Sequence, residues 1–135
     1  MSRDRVEIVR TLIERWNAGD RRAESLPEYF DPAVELESPL SSVVGEPYRG
    51  YAGVERWARE LDEQFAEWRL SLDDARQSGN QVIAIVTVNA RGRVSDIALQ
   101  FPSAIVHDFG NDHRVTRMRI YPDVDEALEA AGLAG

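Results

Sequence analysis

The sequence predicts an α+β protein, because two different periodicities divide the chain. Apolar residues recur at steps of three and four over residues 2–19 and 54–68, which is the spacing of an amphipathic helix. Beyond residue 68, apolar and polar residues alternate in four successive segments, as they do in half-buried strands. Helices that precede the strands, rather than alternate with them, are typical of the α+β class.

The first helix is predicted over residues 2–19. Its apolar face is formed by Val6, Val9, Ile13 and Trp16. Ser2 is a suitable N-cap, because its hydroxyl can accept a hydrogen bond from a free backbone N–H of the first turn. Gly19 can adopt the left-handed conformation that ends many helices. The predicted helix is therefore bounded at both ends.

A short helix, a strand, a long loop and a second long helix are predicted next. Residues 22–30 favour the short helix, and residues 31–38 alternate as a strand does. Residues 39–53 are rich in Pro, Gly and Ser, which predicts a loop, and loops of this length are often functional. The helix over residues 54–68 carries on its apolar face Val54, Trp57, Leu61, Phe65 and Trp68.

Four strands are predicted at residues 69–78, 82–91, 94–109 and 114–121. Turn-forming residues separate them, so the strands should form an antiparallel meander. The tail from residue 123 onward predicts a short closing helix that Gly132 ends.

The central strands of this meander carry apolar residues on both sides, so both faces of the sheet should be covered. Helices can cover one face. The other face should then meet a second subunit or border an enclosed pocket. A homodimer formed through this face is the simplest expectation.

Composition argues against several classes of function. A net charge of −8 would repel a phosphate backbone, so no nucleic-acid partner is expected. The chain has no Cys, and His107 and His113 have no further ligands at metal-binding spacing, so no metal is expected. No glycine-rich nucleotide-binding loop occurs, and no cofactor is expected.

The same composition leads to expectations about location and domain number. The amphipathic N-terminus and the absence of a long apolar run predict no membrane contact, and the lack of Cys favours the cytoplasm. Residues 1–135 are expected to form one domain.

Four segments together carry a resemblance to a known family. They are "VEIVRTLIERWNAGD", "YFDPAVELESP", "YRGYAGVERWARELDEQF" and "HRVTRMRIYPDVDEALEAAGL". In this combination the chain resembles the SnoaL-like polyketide cyclase branch of the nuclear transport factor 2-like superfamily. The resemblance implies a cone-shaped fold, in which a curved, mostly antiparallel sheet wraps three N-terminal helices and leaves an apolar pocket at the open end. It also implies that a dimer commonly packs through the sheet.

The resemblance places the catalytic groups of ketosteroid isomerases at residues that cannot replace them. The general base of those enzymes matches Ser38, which cannot abstract a proton unaided at neutral pH. The two hydrogen-bond donors of their oxyanion hole match Leu12 and Ile105, whose side chains donate nothing. This chemistry is therefore not expected.

Two further chemistries of the superfamily fail in the same way. The acid of SnoaL-type cyclases matches Ile120. The Asp–Arg–Asp set of limonene epoxide hydrolases matches Thr87, Ile85 and again Ile120. No charge remains at these positions to activate water or to protonate a substrate.

Other residues are weaker candidates for catalysis. Glu35 and Glu37 alternate with Val34 and Leu36, so they should face water, although a shift of one residue would turn them into the pocket. There, burial would raise the pKa of either carboxyl group and make it a usable base. His107 could also act as a base or be a structural histidine.

The leading hypothesis is a domain that binds a small apolar molecule, such as a polyketide, steroid or terpenoid, in the cone. The residues expected to line this pocket are Leu12, Trp16, Leu36, Ser38, Tyr48, Trp57, Ile85, Thr87, Phe101, Ser103, Ile105, Met118 and Ile120. The alternative is a cofactor-free isomerase, cyclase or hydrolase with Glu37, Glu35 or His107 as its base and Tyr48 as a hydrogen-bond donor. A non-catalytic dimerisation module is the third hypothesis.

Overall fold

The structure is a computed structural model that describes residues 5–19, 26–38 and 46–132. Its helices are α1 (Arg5–Asn17), α2 (Leu26–Tyr29), α3 (Gly50–Gln64) and α4 (Val124–Ala130). Its strands are β1 (Phe30–Glu37), β2 (Tyr48–Arg49), β3 (Phe65–Ser78), β4 (Gln81–Gly92), β5 (Ala98–Phe109) and β6 (Val115–Tyr121). The predicted α+β class is confirmed.

The strands form one sheet in the order β2-β1-β6-β5-β4-β3. The predicted meander is confirmed, since β3, β4, β5 and β6 pair antiparallel in succession. β1 lies parallel to β6, with Leu36 opposite Met118. Register shifts in β3 and at the end of β5 mark bulges, which bend a sheet. The sheet is therefore curved and has a concave and a convex face.

The main hydrophobic core lies on the concave face. Alternate residues of β4 point there and pack with α1, α3 and β1. The β4 residues concerned are Val82, Ala84, Val86, Val88 and Ala90. From α1 the core receives Ile8, Val9 and Ile13. The cavity described below opens in this same layer, between the helices and the sheet.

The convex face carries a second, smaller core. Ile83, Ala104 and Val106 are buried there against Ala127 and Ala131 at the C-terminal end of the chain. The sequence prediction considered only a second subunit or a pocket for this face. The structure adds a third contribution, because α4 folds back and covers part of the convex face within the same chain.

The bounds of the second long helix also differ from the prediction. α3 begins at Gly50 instead of Val54, and Gly50 has a φ of 69°, which favours glycine. The helix ends at Gln64, and the following residues already pair with β4, Trp68 lying opposite Ala90. The aromatic residues at 65 and 68 continue the helical spacing, but pairing with a distant strand overrides this local preference.

Some predictions fall on residues that the structure does not describe. They are the Ser2 cap, the start of the short helix at residues 22–25, and residues 39–45 of the loop. The rest of that predicted loop contains β2 and the first turn of α3. The glycines predicted to end the first and the last helix are confirmed, since Gly19 has a φ of 85° and Gly132 a φ of 75°.

Candidate functional site

An apolar cavity with two adjoining chambers lies between the concave face of the sheet and helices α1 and α3. The helix chamber has a volume of about 100 Å³, and its lining includes Leu12, Arg15, Trp16, Ala58, His107 and Met118. The sheet chamber has a volume of about 360 Å³, and its lining includes Ser38, Glu60, Gln64, Trp68, Phe101 and Ser103. Both are bordered by Trp57, Leu70, Ile105 and Ile120. The sheet chamber is within the size range of small-molecule sites.

Aromatic side chains form much of the cavity wall. The rings of Trp16 and Trp57 lie 5.2 Å apart, and those of Trp68 and Phe101 lie 5.8 Å apart in an edge-to-face arrangement. Trp16 donates a hydrogen bond from Nε1 to the carbonyl oxygen of Trp68, at 2.9 Å. This bond fixes α1 against β3, so the aromatic wall is held by both packing and a polar contact.

His107 is the titratable group buried most deeply in the cavity wall among the described residues. Its residue exposure is 2%, and Nδ1 lies 3.3 Å from the carbonyl oxygen of Val82. The ring also has a hydrogen bond to the backbone of Ile105, and because a carbonyl oxygen can only accept, the ring acts as the donor to the backbone. Burial lowers the pKa of His107 from 6.5 to about 4. The imidazole is therefore neutral at pH 7 and can accept a hydrogen bond or a proton.

A polar cluster lies where α3 borders the sheet chamber. Tyr48 donates a hydrogen bond from its hydroxyl to Glu60 Oε2, at 2.9 Å, and Arg56 lies 3.5 Å from Glu60 Oε1. The Arg56 guanidinium also stacks over the Tyr48 ring, 4.8 Å from its centre. Burial and the Glu60 carboxylate raise the pKa of Tyr48, so its hydroxyl remains protonated and oriented toward Glu60.

Four of the positions that the family resemblance associates with catalytic acids and donors border the cavity. Leu12 lies in the helix chamber, Ser38 in the sheet chamber, and Ile105 and Ile120 in both. Ser38 is buried, with 6% exposure. Three of these four side chains are aliphatic and the fourth is a hydroxyl, so none of these positions supplies a carboxyl group to the cavity wall.

Five other predicted lining residues also border the cavity. They are Trp16, Trp57, Phe101, Ser103 and Met118. The Ser103 hydroxyl already has a hydrogen-bond partner within the protein, because it donates to the carbonyl oxygen of Tyr121 at 3.0 Å. The side chains brought together here come from α1, α3, β5 and β6.

Four predicted lining residues do not border either chamber. Leu36 is fully buried in the core, and Tyr48 lies behind Glu60. Ile85 and Thr87 point to the convex face, where Ile85 packs beside the second core and Thr87 donates to Asp73. The alternation of β4 places both side chains on the face opposite the cavity. The β4 residues that do border the sheet chamber, Val86 and Val88, are also uncharged.

Glu35 and Glu37 of β1 lie on the convex side. Arg117 donates to Glu37 at 2.9 Å, and Arg49 lies 3.6 Å from Glu35. The register shift that would turn either carboxylate into the pocket does not occur, because Val34 and Leu36 occupy the core. Of the three predicted bases, only His107 borders the cavity.

The sequence reasoning missed two polar residues of the sheet chamber. Glu60 and Gln64 of α3 both border the chamber, although neither was among the residues expected to line it. Their spacing contained the signal, because positions three and seven residues after Trp57 lie on the same helical face as Trp57.

Two negative findings apply to the described ranges. There, no group of three or more His, Asp and Glu side chains is arranged to hold a metal ion. None of the described helices combines the length and apolar character that crossing a bilayer requires.

Several solved structures share this fold. A nuclear transport factor 2-like protein of unknown function from Burkholderia pseudomallei is 22% identical, with a TM-score of 0.78 over 96% of this chain and 97% of that one. A hypothetical protein from Catenulispora acidiphila with a ketosteroid isomerase-like fold, in complex with trimethylamine, is 16% identical, with a TM-score of 0.73 over 94% and 93%.

A third structure is a SnoaL-like polyketide cyclase from Agrobacterium tumefaciens. It is 15% identical, with a TM-score of 0.73 over 96% of this chain and 98% of that one. At these identities the likeness shows the fold alone. No curated protein matches the sequence. The profile of the SnoaL-like domain matches residues 9–118, most of the chain, and the protein therefore belongs to the SnoaL-like domain family.

Proposed function

We propose that this SnoaL-like domain binds a small, largely apolar molecule in its two-chamber cavity. The observation that carries the proposal is the sheet chamber, which has about 360 Å³ of space beside largely apolar walls. Polyketides, steroids and terpenoids have the size and apolar character that such a site accommodates. The trimethylamine complex of the Catenulispora relative supports ligand binding by this fold.

Ligand-induced stabilisation tests the proposal directly. A library of steroids, polyketides and terpenoids should contain a compound that raises the melting temperature. At a hundredfold excess over Kd, one bound molecule adds about 2.7 kcal/mol to the free energy of unfolding. If no compound stabilises the protein, the proposal fails.

A matched pair of variants locates the binding site. Val86 and Thr87 are neighbours on β4, but only Val86 borders the sheet chamber. Val86→Phe should reduce the chamber volume and abolish the ligand-induced shift, whereas Thr87→Phe adds the same ring on the convex face and should leave it. Equal effects of the two variants would place the ligand elsewhere.

A second candidate function is acid–base catalysis on the bound molecule without a cofactor. His107 and Glu60 favour it, because both border the cavity and each has a fixed hydrogen-bond partner. Neutral His107 can accept a proton at its unprotonated ring nitrogen, and the Glu60 carboxylate can accept one beside Tyr48.

Product analysis by mass spectrometry after incubation with stabilising ligands tests this candidate. His107→Gln or Glu60→Gln should reduce turnover more than binding. Glu37→Gln removes a carboxylate from the convex side and should leave turnover unchanged. Ligands recovered without chemical change would reject catalysis and leave the binding proposal intact.

We also propose that two copies associate through the part of the convex face that α4 leaves uncovered. This part includes Ile85, which is half-buried beside the second core. Light scattering should give twice the chain mass, and Ile85→Arg should give a monomer. A wild-type monomer at all concentrations would refute the dimer.

Two expectations about the whole chain remain proposals as well. We propose one domain over residues 1–135 and a cytoplasmic location, the latter supported by the absence of Cys. Limited proteolysis and cell fractionation test them.

A further inference from the structure

We infer that the sheet chamber selects an organic cation, such as a quaternary or tertiary ammonium group, as the head of its ligand. This inference rests on the proposed binding function and names the chemical class of the ligand. It is carried by two observations on the chamber wall: aromatic rings that remain partly accessible, and one carboxylate as its charged group.

The aromatic rings provide the first argument. Trp57, Trp68 and Phe101 all border the sheet chamber, and each is only half-buried although the surrounding strands are well packed. The negative face of an aromatic ring attracts a cation, most strongly for Trp and in a desolvated site. A wall with two indoles and one phenyl ring therefore stabilises an ammonium group more than a neutral group of the same shape.

The charge of the wall provides the second argument. Among the described residues that line the sheet chamber, Glu60 is the one ionisable side chain. A bound cation would face this carboxylate across a chamber with an otherwise uncharged lining, where the attraction is screened less than in water. The net charge of −8 on the whole chain favours the approach of cations over anions.

Glu60 already forms an ion pair with Arg56 and a hydrogen bond with Tyr48, and these two contacts determine how strongly its carboxylate attracts a bound cation. Arg56 is an exposed partner of Glu60 at 3.5 Å, so it offsets only part of the carboxylate charge. Tyr48 donates to Oε2 and orients the carboxyl group without neutralising it. Removal of Arg56 should therefore increase the affinity for a cation, whereas removal of the Glu60 charge should decrease it.

The two chambers also assign an orientation to the ligand. The helix chamber is bordered by Arg15 and by His107, whose environment already disfavours a positive charge. A cation is therefore less stable there than beside Glu60. The ammonium head therefore belongs in the sheet chamber, beside Glu60.

Choline and its uncharged isostere 3,3-dimethylbutan-1-ol are suitable probes, because they differ in charge but hardly in shape. Titrations followed by NMR at the Trp indole N–H signals detect weak binding and report on the chamber wall. Choline should bind about tenfold more tightly than the alcohol. Replacement of Trp by increasingly fluorinated analogues should weaken choline binding stepwise and leave alcohol binding unchanged.

Three variants separate the charge of Glu60 from its structural contacts. Glu60→Gln should weaken choline binding about tenfold without affecting the alcohol, since Gln can still accept from Tyr48. Arg56→Gln should strengthen choline binding about threefold. Glu63→Gln is the matched control, because Glu63 is exposed on the same helix and does not border the chamber, so its loss should change little.

The outcomes distinguish this inference from the binding proposal beneath it. Equal affinities for choline and the alcohol, or a Glu60→Gln variant that weakens both alike, would overturn cation selection and leave an apolar binding site. If neither probe nor any neutral library compound binds, the binding proposal itself is refuted.

Discussion

The side-chain amide of Asn17 pairs with both backbone polar groups of Leu70. Asn17 Nδ2 donates to the Leu70 carbonyl oxygen at 2.7 Å, and Asn17 Oδ1 accepts from the Leu70 N–H at 2.9 Å. β3 is one of the two edge strands of the sheet, so these two groups would otherwise lack a strand partner. The last residue of α1 thus protects the sheet edge and fixes the helix above the cavity.

Asn17→Ala should lower the free energy of unfolding by about 2 kcal/mol, because it leaves both backbone groups of Leu70 without these bonds. Urea denaturation measures the change. Thr11→Ala on the same helix is the control, since it removes only an exposed bond to the Glu7 carbonyl, and it should cost less than about 1 kcal/mol. Equal losses for the two variants would contradict a special role of Asn17.

The buried His107 should make the fold sensitive to acid. The pKa of this imidazole is about 4 in the folded protein, whereas its usual value, expected in the unfolded chain, is 6.5. Between pH 4 and pH 6.5 the unfolded chain therefore binds a proton that the folded protein does not bind. Stability from this group is fully present above pH 6.5 and is lost as the pH falls toward 4. The expected loss is about 3 kcal/mol.

Urea denaturation between pH 4 and pH 7.5 measures this effect as a difference between variants. His107→Gln should flatten the pH dependence of the unfolding free energy. His113→Asn keeps His107 and suits the backbone at residue 113, where φ is 61°, so it should retain the slope. A slope that disappears in His113→Asn but not in His107→Gln would disprove the assignment.

Two buried alanines on helices should respond oppositely to enlargement. Ala58 borders the helix chamber, whose volume is about 100 Å³, so Ala58→Leu can fill empty space and should stabilise the protein by about 1 kcal/mol. Ala127 is completely buried in the convex core, and Ala127→Leu should cost about 2 kcal/mol through overpacking. Thermal denaturation distinguishes the two, and a stabilising Ala127→Leu would show that the convex core is loosely packed.

Gly53 allows α3 to approach β2 closely. A Cβ atom at this position would lie 2.9 Å from the backbone carbonyl carbon of Tyr48. Gly53→Ala should therefore destabilise the fold by about 2 kcal/mol, although alanine favours helices by about 1 kcal/mol. The melting temperature of the variant should therefore be lower than that of the wild type. A more stable variant would mean that the backbone at Tyr48 moves aside at little cost.

The elements of the fold were largely predictable because their periodicity is local. The alternation of β4 and β5 and the helical stripe of α1 are properties of neighbouring residues. The end of α3 was not predictable in this way. Phe65 and Trp68 fit a helix by spacing, and they become strand residues through pairing with Gly92 and Ala90, which are distant in sequence.

The candidate site was predictable only in part, for a related reason. The resemblance predicted that Ser38, Ile105 and Ile120 line the pocket. These side chains do border the cavity, because the alternation along the sheet turns them to its concave face. Glu60 was missed, since a carboxylate on a helix usually faces water. It borders the sheet chamber because of how the sheet packs over α3, which the sequence of the helix does not reveal. The coverage of the convex face by α4 was likewise not predictable, because it depends on the helix packing against residues of β4 and β5 that are distant in sequence.

The parallel pairing of β1 with β6 has a consequence for the time course of folding. Arg117 and Glu37, which are hydrogen-bonded across this pair, are 80 residues apart in sequence, whereas β3 to β6 connect through short turns. Contacts between distant segments form slowly, so the meander should assemble before β1 joins it. Ser38, at the end of β1, would then reach the cavity late, and the recovery of ligand binding after dilution from urea should lag behind the recovery of sheet structure.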